Sequence, residues 1–345
     1  MQVKYNHTIP LYIALGILIF TAACDDGGDN ATSYDYPWRV YELPELPDNS
    51  EITGIYMLST TEGWACCNAG EVIKFNNSVW SVFCDFDSDA TNVYLTSITF
   101  SGPSDGWIAG TRSIRTGSHY EWSAVVLHYD GGTWREVIAP PSASLDTVFA
   151  FAPDDVWAGG AAGIFHYDGS SWTCALAVSD ITAICFYSPL CGAAVDMWGG
   201  HYRWDGVQWQ RMPSEGTEIR EGVAVPSPGS GWSVGGGYAD IGEIPPEFSM
   251  SYYDDVWGIW RRYYGLEGRP ADGRILHAVH FAAPDDGWAA GQVCLHYDGS
   301  RWTQIPLPPL TCAYSVFTLG GDEVWLGCFD RKILKYDPPQ GRVSP

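Results

Sequence analysis

His166-Tyr167-Asp168-Gly169-Ser170-Ser171-Trp172 returns as His296-Tyr297-Asp298-Gly299-Ser300-Arg301-Trp302. Looser copies are His128-Tyr129-Asp130-Gly131-Gly132-Thr133-Trp134 and Arg203-Trp204-Asp205-Gly206-Val207-Gln208-Trp209. A second phrase precedes three of the four: Pro103-Ser104-Asp105-Gly106-Trp107, Pro153-Asp154-Asp155-Val156-Trp157 and Pro284-Asp285-Asp286-Gly287-Trp288. Two alternating phrases mark one supersecondary unit used many times, each copy too small to bury its own faces. Such arrays grow by stacking, so the 345 residues need not be divided into ordinary domains.

One unit reads as four short strands. Thr147 to Phe151 is rich in strand formers, and Pro153-Asp154-Asp155 turns the chain. Val156 to Gly160 and Gly163 to Tyr167 follow, then the hairpin signal Asp168-Gly169 and a fourth strand from Trp172 to Leu176. Four strands per unit, set radially, make a β-propeller blade. First strands near Ile52, Leu95, Leu145, Ile181, Ile219, Ile275 and Ala313 predict an all-β, seven-bladed β-propeller. The last unit ends after three strands, and Trp38 to Glu42 resembles the fourth strand Trp302 to Pro306. An N-terminal strand is therefore expected to close the ring and remove its exposed edges. Thirteen of the 17 Trp fall at matching places and read as packing residues; Trp122, Trp198, Trp204 and Trp260 stand outside the pattern. The fifth unit departs most, with Asp254 to Trp257 one residue shorter than Asp168 to Trp172.

The Tyr-Asp-Gly turn followed by Trp, and the Gly159-Gly160 pair, resemble the Asp-box and kelch propellers over nearly the whole chain beyond residue 35. An Asp-box carries Ser two residues before its Asp, where this chain has His, Arg or Lys. The order Asp-Gly-Trp, Gly, Asp-Gly, Trp is also similar to the propellers that assist photosystem assembly. That resemblance implies a binding protein.

Lys4 precedes an apolar run, Leu11 to Phe20, too short to span a membrane comfortably, which ends in Thr21-Ala22-Ala23-Cys24. This resembles the lipobox of bacterial lipoproteins. It implies a signal peptide over 1–23 and a lipid-modified Cys24, the only contact with a membrane, followed by an acidic tether over 24–35 and the propeller over 36–345. The protein is then expected in a bacterial cell envelope, periplasmic or surface-exposed. Loss of Lys4 leaves 17 basic and 41 acidic residues, a net charge of −24, which excludes nucleic-acid binding through a general basic surface. Nine further cysteines could oxidise after export. Cys84 with Cys66 or Cys67, and Cys312 with Cys328, are the expected pairs, each within one repeat. No Cys-x-x-Cys spacing occurs, so no zinc or other metal site is expected, and no cofactor.

Asp130, Asp168, Asp205 and Asp298 read as turn formers bonded to nearby backbone N–H groups. They line the face that carries the first-to-second and third-to-fourth turns. The opposite face carries three extensions: Thr111 to Trp122, Gly236 to Phe248 and Arg261 to Arg274. Loops on a rigid scaffold carry binding residues, and Arg with Tyr suits carboxylates, phosphates and sugars. The candidates are Arg112, Arg115, His119, Tyr120, Tyr238, Arg261, Arg262, Tyr263 and Tyr264. No catalytic residue is assigned. A sialidase-like, glycan-processing hydrolase is the alternative, since Arg112, Arg261, Arg262, Tyr264 and Glu121 supply the residue types. His119, His201, His277 and His280 lack the spacing of a galactose-oxidase-like copper site. Asp85-Phe86-Asp87-Ser88-Asp89 starts like a calcium loop, but Ala90 and Thr96 stand where Gly and an acid are needed. The expected function is binding of an envelope protein or a surface glycan through the extended-loop face.

Overall fold

The computed structural model describes residues 36–338, apart from 44, 89–90, 216–217, 237–247, 257 and 265–274. The expected signal peptide, Cys24, the tether and Tyr238 lie outside these residues. The described chain forms seven antiparallel four-stranded sheets. Blades are numbered 1 to 7 by their first strands: Ile52–Met57, Thr91–Gly102, Leu145–Ala152, Ile181–Ser188, Ile219–Ser227, Leu276–Ala283 and Ala313–Gly320. Each first strand packs against the next, and that of blade 7 packs against that of blade 1, so they line a common axis. Blade 2 starts before Leu95 because its insert continues the ladder: Asp105–Thr116 and His119–Tyr129 form one long hairpin, and Thr91 pairs with Ile114. Trp38–Glu42 pairs antiparallel with Lys332–Tyr336, from Trp38 opposite Tyr336 to Glu42 opposite Lys332, as the fourth strand of blade 7.

Tryptophan holds neighbouring blades together. The second-strand Trp of one blade meets the fourth-strand Trp of the next: Trp64 with Trp134 at 5.7 Å, Trp157 with Trp209 at 6.0 Å, Trp232 with Trp302 at 5.3 Å. Trp288 with Trp38 at 6.2 Å and Trp325 with Trp80 at 6.0 Å continue the series across the ring closure. Removing one such buried ring costs about 3–5 kcal/mol.

Two expected outsiders belong to this system. Trp260 is buried and lies opposite Tyr253, as Trp172 lies opposite Tyr167, so it and not Trp257 holds the repeat position in blade 5. The turn before it is longer than expected, with Gly258 N–H donating to Asp254 O and Gly258 at φ 62°. Blade 5 is therefore a complete four-stranded blade. Trp204 sits opposite Trp209, where five blades have Tyr and blade 1 has Phe75, and packs on Trp157 at 4.9 Å.

The expected disulfides are not formed: the nine described cysteines are free thiols. Cys66 and Cys84 lie opposite Val72 from its two sides, hence two strand spacings or roughly 10 Å apart, beyond disulfide reach. Cys67 follows Cys66 and points to the other face of that strand. Cys328 faces Ala313 inside the blade 6–7 core, whereas Cys312, one residue before Ala313, turns the other way.

Candidate functional site

On the face of the repeated turns, the carboxylates act on their own backbones. Asp168 Oδ1 accepts N–H bonds from Ser170 at 2.9 Å and Ser171 at 2.8 Å, and Asp130, Asp205 and Asp298 do the same in their turns. The Ser170 hydroxyl and the two N–H donors lower the Asp168 pKa to about 2. Just inside this face sits a constellation that sequence reading missed. Trp107 stacks on His128 at 4.2 Å, and His128 Nε2 lies 2.7 Å from Asp105 Oδ1. Trp157–His166–Asp155 and Trp288–His296–Asp286 repeat the arrangement. In blades 1 and 7, Lys74 lies over Trp64 and pairs with Glu62, and Lys335 lies over Trp325 and pairs with Glu323. The signal was present: Asp-x-Trp accompanies His, and Glu-x-Trp accompanies Lys. Repetition from blade to blade makes these contacts structural.

The opposite face carries the extensions. Arg115, His119 and Tyr120 are exposed near the end of the blade 2 hairpin, and Trp122 stacks on Tyr94 at 6.1 Å. Arg112 makes two bonds to Glu136, of 2.8 and 2.6 Å. Arg261 and Arg262 are not loop residues: they lie in Ile259–Arg262, the fourth strand of blade 5, whose register continues to Ser251 opposite Arg262. Arg261 pairs with Asp254 at 2.7 Å and Glu215 at 3.0 Å, and Arg262 pairs with Glu218. Tyr263 packs edge-on against Trp232 at 5.2 Å, and Tyr264 is exposed. The structure thus leaves Arg112 and the Arg261–Arg262 pair on different blades, each held by local carboxylates.

A feature with no sequence signature lies between these loops, at the start of the first strands. There each first strand carries the extra residue of a β-bulge, skipped in the pairing with the second strand: the second residue in five blades, the third in blade 5 and the sixth in the extended strand of blade 2. The bulge presses the first strand onto its neighbour, which explains Gly160: a Cβ there would collide with the Ser144 carbonyl. Around the axis these seven residues are Thr53, Thr96, Asp146, Thr182, Glu221, His277 and Tyr314. Each Thr donates its hydroxyl to the next blade: Thr53 to Leu95 O at 2.7 Å, Thr96 to Leu145 O at 2.9 Å, Thr182 to Arg220 O at 2.8 Å.

The other four break the rule. Glu221 and His277 Nδ1 are hydrogen-bonded, and Tyr314 lies 4.9 Å from that imidazole ring. Nearby, Glu51 Oε2 accepts from Asn68 Nδ2 at 3.0 Å. Burial alone would lower the His277 pKa, but its bonds to Cys312 and Glu221 raise it to about 10. Burial raises the Glu51 pKa against the lowering effects of Tyr314, His277 and Asn68. Asp146 is exposed to water yet enclosed by neighbouring strands; that enclosure and the Asp180 carboxylate raise its pKa, and water at the mouth screens part of the effect. Next to the ring, Arg220 replaces the aliphatic residue that starts most first strands. It is fully buried, donating to Ser249 at 2.7 Å and Ser251 at 2.9 Å. A cleft of about 660 Å³ opens elsewhere, between blades 2 and 3, lined by Trp107, His128, Ile138, Tyr167 and Trp172 among others.

No family model and no curated protein matches the chain. Solved structures do. The structure titled "YCF48 bound to D1 peptide" is 17% identical, with 88% of this chain and 97% of that one covered, at a TM-score of 0.65. A catalytically inactive virginiamycin B lyase from Staphylococcus aureus, with quinupristin, is 13% identical over 86% of this chain and 98% of its own, at 0.63. The WD40 β-propeller domain of Doa1 is 10% identical over 87% and 97%, at 0.62. Likeness at such low identity carries the fold alone: this chain is a seven-bladed β-propeller.

Proposed function

We propose that this propeller works by binding, as an exported protein anchored through Cys24, and that it holds a protein of the cell envelope on its extended-loop face. The carrying observation is the ring around the axis. Three of its seven positions keep a threonine that ties adjacent blades, while Asp146, Glu221, His277 and Tyr314 abandon that task on the face that also bears the extensions. Departure from a repeat at one place on one face is what a grafted site looks like. The surrounding Glu51, Asp146, Asp180 and Glu221 suit a basic segment, in a chain of net charge −23. One solved structure similar in fold has a peptide bound to it, which supports a peptide as the type of ligand.

A photoreactive amino acid at Tyr120, on the hairpin, and another at Ser170, on the opposite face, test this in intact cells. The expected result is a discrete protein adduct from position 120, absent from position 170. Equal labelling from both positions, or a glycan adduct alone, would overturn the reading.

A further inference from the structure

We infer that Trp198 and Asp180 form a receptor for an arginine side chain of the partner protein, the guanidinium lying on the indole face and bonding the carboxylate beside it. This rests on the proposed use of the extended-loop face and names the side chain that the face receives.

Trp198 lies in the turn between Cys191–Asp196 and His201–Trp204, the second-to-third turn of blade 4, and so on the face of the extensions. It is 62% exposed, so burial does not hold it there. It is also the one described tryptophan whose ring meets no other ring. Its position is nevertheless fixed from two sides. The Asp196 carboxylate, buried under the turn, accepts N–H bonds from Trp198 at 2.8 Å and Gly200 at 2.7 Å, and the Tyr202 hydroxyl donates to it at 2.8 Å. From the other side, Asp180 Oδ2 accepts the indole Nε1–H at 3.0 Å.

A purely structural role accounts for less. Met197 N–H donates to the Asp180 carbonyl at 3.0 Å, tying the turn to the start of the first strand. The same tie runs from Asn68 to Glu51, Ala161 to Ser144, Gln292 to Ile275 and Phe329 to Cys312. Among those five carbonyl residues Asp180 alone has a left-handed backbone, at φ 61°. That conformation is disfavoured for a residue with a Cβ, and the tie does not need it. What accompanies it is the Asp180 carboxylate at the nitrogen edge of the indole.

An open indole face with a carboxylate at its edge suits a planar cation. Guanidinium stacks on aromatic faces and forks its N–H donors onto carboxylates, a geometry that an ammonium does not match. Asp180 Oδ1 accepts no bond among the described residues, and Asp180 has no ion-pair partner there. A second carboxylate stands on the same side. Thr53, Thr96 and Thr182 each bond the carbonyl of the residue before the next blade's bulge, and the same step from Asp146 leads to Ile181, next to Asp180. Asp146 likewise has no cation paired to it among the described residues. In a chain of net charge −23, an incoming arginine supplies the charge that this corner lacks.

The test uses the intact protein and fluorescein-labelled pentapeptides, glycine throughout except for a central arginine, lysine or citrulline. Fluorescence anisotropy at low salt reads the affinity. The arginine peptide is expected to bind about tenfold more tightly than the citrulline peptide, which has the same shape without the charge. Trp198→Ala and Asp180→Asn should each weaken it about tenfold, with the fold kept by thermal melting. Asp154→Asn, an equal loss of charge at an exposed turn of the opposite face, should leave it unchanged. Equal binding of the arginine and citrulline peptides, or binding that neither Trp198→Ala nor Asp180→Asn weakens, overturns the inference. A lysine peptide bound as tightly overturns the choice of arginine. Photocrosslinking from position 120 separates this from the broader reading. An adduct that persists in Trp198→Ala cells overturns the arginine receptor and leaves binding on this face standing. Arginine-specific peptide binding without an adduct in wild type supports the receptor and overturns an envelope protein as the source of the arginine.

Discussion

Asp168 and His277 show how residue environment sets opposite pH behaviour in one molecule. Asp168 is a fully exposed turn carboxylate whose charge is held by Ser170 and Ser171. Its folded pKa is depressed to about 2, so its contribution is complete above the unfolded value near 3.8 and lost as pH falls through 2. Asp168→Ala should therefore lower the thermal midpoint at pH 7 and have a much smaller effect at pH 2. His277 runs the other way. Its folded pKa is raised to about 10 from 6.5, so the contribution is complete below pH 6.5 and lost as pH rises through 10. Wild type should lose stability between those pH values in melts where His277→Gln stays flat. The turn role of Asp168 was readable from Asp-Gly alone. The state of His277 was not, because Glu221 and Cys312 are 56 and 35 positions away in the chain.

Within each blade, the first and second strands share their volume. Phe100, Phe186 and Phe281 lie opposite Gly106, Gly192 and Gly287, and a Cβ on Gly106 would stand 2.5 Å from the Phe100 ring. In blade 3 the pair is Ala150 opposite Val156, and in blade 7 Thr318 opposite Val324. The choice of Gly or Val between the acid and the Trp of the second phrase is thus set by the size of a residue on the strand before it. Ala150→Phe alone should cost about 1–3 kcal/mol through overpacking. Adding Val156→Gly should recover most of that loss, read as a favourable coupling in a double-mutant cycle of urea unfolding. The four-strand reading and the positions of most strands came from the repeats. The assignment of Arg261 and Arg262 to a loop failed because Trp257 was taken for the repeat Trp; the buried Trp260 extends the fourth strand over both arginines.

On the scale of the whole molecule, the ring is closed where its first and last described strands pair. Trp38 is buried, donates Nε1–H to Pro306 O at 2.9 Å and packs edge-on against Trp288 and Tyr336. Removing Trp38–Glu42 would expose the edge of Lys332–Tyr336 and reopen the blade 6–7 interface. Trp38→Ala should cost about 3–5 kcal/mol in urea unfolding while the other blades keep their strands. Removal of the whole strand should bring concentration-dependent association in light scattering.

The repeated phrases by themselves determined the strand count, the blade count, the turn carboxylates and most of the packing Trp residues, Trp260 and Trp204 excepted. All of these depend on contacts within one unit or between like positions of neighbouring units, and periodicity displays such contacts directly. Only the tertiary structure decided that Cys66 and Cys84 stand too far apart to bond, and that Arg112 and Arg261 turn to local acids. It alone gathered Glu221, His277 and Tyr314 at one end of the axis. Each of these residues looks unremarkable in its own repeat. They become a site because a ring brings the same strand position of successive blades side by side, whatever their separation along the chain.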